Sequence, residues 1–230
     1  MKKIAALFDC DGTLYSAQYG RGLMKYAAEN GHKWAVRRYY ASLLPLYFLR
    51  KVKLISDEAY HLPLTSRMAW MVKGMDEEEF RRLSDCLVTD YLLPTERAEV
   101  VARLREHQAQ GHVVLLVSAQ LHPSLEVFAK HYNPDGFIGT HLELKDGRYT
   151  GKIISPVITG QEKNRYARQF FSSRNIEVDW EASSAYADSI TDTGLLGLVG
   201  HPVAVHPDAK LHALAQSENW EMIGEQRIRS

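Results

Sequence analysis

The stretch ALFDCDGTLYS, residues 6–16, decides how the chain is read. An apolar run from Lys3 to Phe8 stops at Asp9, and a second carboxylate, Asp11, follows two positions later, with Gly12 and Thr13 directly behind. In an extended chain, side chains two apart point the same way, so Asp9 and Asp11 are expected to face one cavity at the mouth of a buried strand. A calcium loop of the EF-hand type is disfavoured, because its glycine falls at the sixth position and a helix precedes it. Here Gly12 is fourth and a strand leads in.

Further apolar β-type runs recur downstream at 113–117 (VVLLV), 136–140 (GFIGT), 183–187 (SSAYA) and 202–205 (PVAV). Helical patterns at 95–110, 122–132, 160–173 and 208–217 alternate with them. Such alternation predicts an α/β fold, a three-layer Rossmann-like core around a parallel sheet. Between the first strand and the helix at 95 lie some eighty residues without a convincing strand, broken near Gly31, Ser56 and Gly74. That is too much for a loop. The expected organisation is therefore a core domain of residues 1–16 and 93–230, with 17–92 inserted as a helical cap over the C-terminal edge of the sheet, where open α/β folds bind ligands. An Asp146-Gly147 pair inside LELKDGRYTGKI predicts a hairpin with a tight turn.

Composition bounds the function. Apolar residues make up 45% and charged residues 24% of the 230, an ordinary globular balance. Lys plus Arg and Asp plus Glu number 28 each, so no overall field draws the chain to nucleic acid, and none is expected as a partner. Cys10 and Cys86 cannot make a disulfide framework, and the apolar run after Met1 is too short for a signal peptide. A reducing, cytoplasmic setting is expected. Ten histidines are scattered without the spacing of a zinc site. The longest greasy stretch, Tyr39 to Leu49, is flanked by Arg37, Arg38, Arg50, Lys51 and Lys53. It falls short of the roughly 20 residues of a spanning helix; it reads either as a packed helix lining a pocket or as a helix lying on a membrane surface.

Strand ends on one edge would bring together Asp9, Asp11, Ser118, Asp188 and Asp192, with Lys163 at the start of the helix feeding the Asp188 strand. Crowded carboxylates divide the labour, one keeping its proton while the other stays a charged nucleophile. Asp9 would attack phosphorus to give an aspartyl-phosphate, and Asp11 would act as general acid and then base. A carboxylate meets a phosphate dianion with repulsion of roughly 4 kcal/mol per charge pair at 4 Å, so counter-charges must be built in. Magnesium on Asp9 and Asp188, supported by Asp192, and the Lys163 ammonium would supply them. Ser118, the amides of Ala119 and Gln120, and the turn at Gly12 would complete a phosphate cradle. Read singly, Ser118 is a helix cap and Lys163 a solvated surface lysine.

In this order the pieces resemble the haloacid dehalogenase-like hydrolase superfamily: FDCDGT its first motif, LLVSAQ its second, Lys163 its third and YADSITD its fourth. GTHLELKDGRYTGKI and residues 200–223 resemble the phosphoserine phosphatase-like subfamily IB, which carries a helical cap after the first motif. The resemblance implies Asp9 as nucleophile, Asp11 as acid and base, Ser118 and Lys163 on phosphate, and magnesium on Asp9, the Asp11 main-chain carbonyl and Asp188. Ala187 and Gln120 depart from the pattern without removing a charged group. A third departure bears on substrate: where phosphoserine phosphatases have a glutamate for the substrate ammonium, this chain has Gln18, which gives up that ion pair. The expected substrate is a small or lipid-like phosphomonoester, with phosphoserine disfavoured and peripheral membrane contact through the cap. A non-enzymatic phospho-acceptor of the receiver type is the alternative; against it stand Asp11 and the large insertion.

Overall fold

The computed structural model describes residues 2–52, 54 and 57–225, the side chains of 57–62 excepted. Lys53 and Ser56, named above as a basic flank and a helix break, lie outside the described residues. Six parallel strands form one sheet in the order β3-β2-β1-β6-β7-β8. They are β1 (Ala5–Phe8), β2 (Val113–Leu121), β3 (Gly136–Thr140), β6 (Ser184–Ala187), β7 (His201–Val205) and β8 (Glu221–Ile223). The chain runs outward from β1 through β2 to β3, then returns to the other side of β1 with β6. The crevice for ligands in such sheets lies at this reversal of strand order, beyond the C-terminal ends of β1 and β6.

The first strand is apolar without alternation because both its faces are covered. Ala6 and Phe8 pack into one core cluster with Val114 and Leu116, while Ala5 and Leu7 pack into the other with Leu115 and Val117. Phe8 stacks flat on Tyr186 of β6 at 4.4 Å between ring centroids. Helices α5 (Ala98–Ala109), α6 (His122–Ala129), α7 (Gln161–Ser173), α8 (Thr193–Leu196) and α9 (Ala209–Ser217) connect and flank the strands.

Between β1 and β2 stands the inserted helical cap, built from α1 (Tyr19–Ala27), α2 (Lys33–Lys51), α3 (Asp57–Met68) and α4 (Glu77–Leu87) with short helical turns between them. The chain kinks at Asn30 and Gly31 between α1 and α2. A capping box, in which Asp76 and Glu79 exchange side-chain and backbone hydrogen bonds, starts α4. The hairpin of β4 (Leu142–Lys145) and β5 (Arg148–Ile153) turns at the expected pair. Asp146 and Gly147 both take positive φ, 51° and 72°, as the tight hairpin turn requires. The hairpin is tied to the cap by backbone hydrogen bonds from Gly74 to Tyr149 and from Tyr149 to Met75.

One expectation is corrected here. Ser118 does not cap a helix: β2 runs on to Leu121, and α6 begins at His122 with Leu121 as its N-cap. An irregularity in the β2–β3 pairing between Val117 and Leu121 allows the strand to continue past the serine.

Candidate active site

Asp9 leaves β1 with its amide still donating to the Tyr186 carbonyl, 2.9 Å, so the residue is held on the sheet although the strand proper has ended. The chain then turns sharply. Thr13 and Leu14 both donate to the Cys10 carbonyl, and Gly12 takes a φ of 91°, a conformation glycine adopts without steric cost. Arg97 clamps this turn by donating from Nε to the Gly12 carbonyl at 3.2 Å. Cys10 is fully buried, as a small filler would be, and burial pushes its thiol up out of the reactive range.

Five groups then converge. Lys163 projects from the first turn of α7 and places Nζ 2.6 Å from both Asp9 Oδ1 and Asp192 Oδ1. It is no surface lysine, being 3% exposed. Burial alone would lower its pKa, but the charges of Asp192 and Asp9 and their hydrogen bonds raise it, so the ammonium is retained. Asp188, directly after β6, is buried too, and Thr13 Oγ1 lies 3.0 Å from Asp9 Oδ2 and 3.5 Å from Asp188 Oδ1. Burial pushes the Asp192 carboxyl above the usual carboxylate range, against the pull of Lys163.

Asp9, Asp188 and Asp192 bring ligand oxygens within 4.8 Å of one another. Three buried carboxylates, two of them on the Lys163 ammonium, leave excess negative charge away from water, a costly arrangement unless another cation joins them. All the donors are hard oxygens, which suits magnesium or calcium rather than zinc or copper. The residues therefore fit a divalent cation. The Asp11 carboxylate lies outside that trio; its Oδ1 accepts from the Tyr19 amide at 3.2 Å.

A cavity of about 180 Å³ contains the convergence, lined by Asp9, Asp11, Ser118, Lys163, Asp188 and Asp192 among others, with Ala119 and Gln120 also on its wall. Beside it lies a larger chamber of about 620 Å³ beneath the cap. Gln18, the N-cap of α1, lines that chamber rather than the smaller cavity. Asp11 and Met68 line both. Gly12 lies on the wall of the chamber rather than of the smaller cavity, and its amide donates to the Tyr15 carbonyl at 3.0 Å.

Sequence reasoning missed several residues in and around the site. Thr13 was legible as part of the first motif, yet its contact with two carboxylates was not. Arg21, Tyr39, Leu43, Leu64 and Met68 of the chamber come from three helices whose mutual orientation no spacing in the sequence specifies. Tyr39 and Leu43 are buried, so the greasy stretch does line a pocket, as the packed-helix reading expects.

The chain belongs to the haloacid dehalogenase-like hydrolase family, whose model matches residues 6–197. It is similar to a phosphoserine phosphatase of Mycobacterium tuberculosis strain H37Rv, 28% identical over 95% of this chain and 70% of that protein. It is also 28% identical, over 64% of this chain and 67% of the relative, to a histidinol-phosphatase of Neisseria meningitidis. Among solved structures it matches a Bordetella pertussis protein of unknown function with a TM-score of 0.83, at 24% identity over 97% of this chain and 99% of that one. A phospho-aspartyl intermediate analogue of phosphoserine phosphatase matches at 0.64, with 18% identity over 99% and 95% of the two chains. At such identities these structures speak for the fold. Among the described residues no helix is long and apolar enough to cross a membrane.

Proposed function

We propose that the chain is a magnesium-dependent phosphomonoester hydrolase working through an aspartyl-phosphate on Asp9. The observation that carries this reading is the position of Asp11 at the junction of the two cavities. A phosphate seated in the smaller cavity beside Asp9 and Lys163 would direct its ester oxygen towards the larger chamber, past Asp11. That is where a general acid must stand.

In the first half-reaction an Asp9 oxygen bonds to phosphorus as the ester bond breaks, and Asp11 gives its proton to the departing alkoxide. In the second, Asp11 takes a proton from a water whose oxygen bonds to phosphorus, releasing phosphate and restoring the Asp9 carboxylate. Lys163 holds Asp9 in place and offsets charge on the phosphoryl oxygens; Ser118 and the Ala119 amide, on the cavity wall, donate to the same oxygens. Magnesium would be held by Asp9, the Asp11 carbonyl and Asp188, with Asp192 supporting, and would offset the charge of the incoming phosphate.

The substrate is read from the chamber. Its wall is largely aromatic and aliphatic; besides Asp11, which the reaction engages, its polar side chains are Ser16, Gln18 and Arg21. A cation at Arg21 and a neutral amide at Gln18 disfavour the ammonium of phosphoserine, despite the name of the mycobacterial relative. A small or lipid-like phosphomonoester with an apolar leaving group fits better, and a peripheral membrane contact through the cap, residues 17–92, belongs to the same reading.

The test is magnesium-dependent release of phosphate from p-nitrophenyl phosphate by wild type, Asp9→Asn and Asp11→Asn. Steady turnover in wild type and loss in both variants is expected. Absence of steady turnover in wild type would instead favour a phospho-acceptor of the receiver type.

A further inference from the structure

Helix α2 breaks the usual rule for a surface helix. Its buried side carries Tyr39 and Leu43, as a core-facing stripe should. Its opposite side is also apolar. Trp34, Ala41, Pro45, Phe48 and Val52 follow one another at spacings of seven, four, three and four, which places them on one helical face. Trp34 is 74% exposed, Phe48 61% and Val52 61%. Leu44 and Tyr47 extend this face to the wall of the 620 Å³ chamber while remaining more than half exposed. An apolar face of this size on a chain that is otherwise ordinarily polar marks a surface that something covers.

Charge on the same segment selects the occupant. No acidic residue occurs between Asn30 and Ser56, whereas Lys33, Arg37, Arg38, Arg50, Lys51 and Lys53 do. Arg38 stacks on Trp70 at 4.4 Å and so serves the cap's own packing. Lys33, Arg37 and Lys51 are exposed at the two ends of the apolar face. A second copy of this chain would set like charges against one another. An anionic lipid surface satisfies both features, because apolar side chains enter the acyl boundary while basic ones meet the headgroups.

We propose that the exposed face of α2 docks the cap onto an anionic lipid surface, so that the chamber beside Asp11 opens where a phosphomonoester embedded in that surface presents its headgroup. The proposal rests on the phosphatase reading, which supplies the purpose of the docking. It is nevertheless testable apart from it. Trp34, Phe48 and Lys51 are outside both cavities, so changing them leaves hydrolysis of a soluble substrate as an independent control.

The experiment is flotation of the purified full chain with vesicles of phosphatidylcholine alone and of phosphatidylcholine mixed with phosphatidylglycerol, at low and high salt. Trp34→Ser/Phe48→Ser and Arg37→Glu/Lys51→Glu chains are run alongside, and p-nitrophenyl phosphate hydrolysis is measured for all. Wild type is expected to float with the anionic vesicles and to be released by salt. Each double variant should lower the bound fraction by about tenfold or more while hydrolysis of the soluble substrate persists. Failure to bind anionic vesicles, or binding indifferent to both variants, overturns the proposal. So does a concentration-dependent dimer in sedimentation velocity that Phe48→Ser abolishes without any vesicle binding, which would assign the face to a second copy. Loss of soluble turnover in wild type would refute the phosphatase reading without touching the flotation result.

Discussion

Lys163 and Asp9, 154 positions apart in sequence, meet at 2.6 Å in the interior, and the same ammonium reaches Asp192 at the same distance. One cation thus braces both the proposed nucleophile and the carboxylate behind it. Replacing it with an apolar side chain of similar length, Lys163→Met, leaves buried carboxylates facing each other. A loss of about 3–5 kcal/mol in stability is expected from breaking such a buried pair. Activity should fall by about 10²–10³, the usual effect of removing one electrostatic stabiliser of a transition state. Thermal melts with and without magnesium check the first point: magnesium should raise the midpoint of the variant more than that of wild type, because it replaces part of the missing charge. Lys163→Arg should not rescue turnover, since a planar fork cannot occupy the place of a point charge.

Gln18 stands at the entrance to α1 on the chamber wall, with Arg21 on the same wall. Gln18→Glu restores an anion that can pair with a substrate ammonium, although Arg21 competes for it. Turnover of phosphoserine relative to p-nitrophenyl phosphate should therefore rise by a few-fold in Gln18→Glu and further in Gln18→Glu/Arg21→Ala, each factor of ten corresponding to about 1.4 kcal/mol. Steady-state kcat/KM on the two substrates is the measurement. An unchanged ratio in both variants would remove Gln18 from the specificity argument.

Gly194 explains how α7 is seated. A Cβ at this position would lie 2.5 Å from the Gly160 carbonyl oxygen and 2.9 Å from its carbon, backbone atoms immediately before the helix that carries Lys163. Asn164 also donates to the Gly194 carbonyl at 2.9 Å. Gly194→Ala must push the start of α7 away, and overpacking of this kind costs about 1–3 kcal/mol. Because Lys163 moves with the helix, activity should fall more than it does in a core variant of equal stability loss elsewhere, such as one at Leu211. Urea denaturation paired with kcat separates the two effects.

His107 gives the fold a pH dependence. Burial first, then the neighbouring His112 and Arg103 charges, lower its pKa from the usual 6.5 to about 4, and its ring lies between His112 Nδ1 at 2.8 Å and the Tyr186 hydroxyl at 2.9 Å. The folded chain keeps this imidazole neutral where the unfolded chain would protonate it. Stability from this site is therefore complete above about pH 6.5 and is lost progressively as pH falls towards 4. The ring is half-buried, so solvent screening reduces the effect well below that of a fully buried group. Melting temperature measured between pH 7 and 4.5 should fall less steeply in His107→Asn than in wild type.

The strands of the sheet were readable because parallel strands covered on both faces write themselves as continuous apolar runs; GFIGT matches β3 end to end. Where burial is partial the signal disappears. Strand β8, Glu221–Ile223, sits at the sheet edge with two of its three residues exposed, and nothing in EMI distinguishes it from a loop. The end of β2 was misplaced because its continuation past Ser118 depends on an irregular pairing with β3, a tertiary fact. Of the site, the charged residues were legible since the strand ends carry Asp9, Asp11 and Asp188 to one edge, with Asp192 in the turn after β6 and Lys163 at the start of α7. The chamber was not. Its walls depend on how α1, α2 and α3 pack, and α2, apolar on two sides, has no periodicity to say which side faces in.

The most direct test of the mechanism is chemical capture of the covalent species. The chain is mixed with magnesium and p-nitrophenyl phosphate, quenched in acid within the first turnovers, reduced with borohydride, and digested for peptide mass spectrometry. An acyl phosphate on Asp9 is converted to homoserine at that position, and this conversion is expected in wild type, absent without substrate and absent in Asp9→Asn. Turnover accompanied by no reduction at Asp9, or by reduction at a different carboxylate, would contradict it.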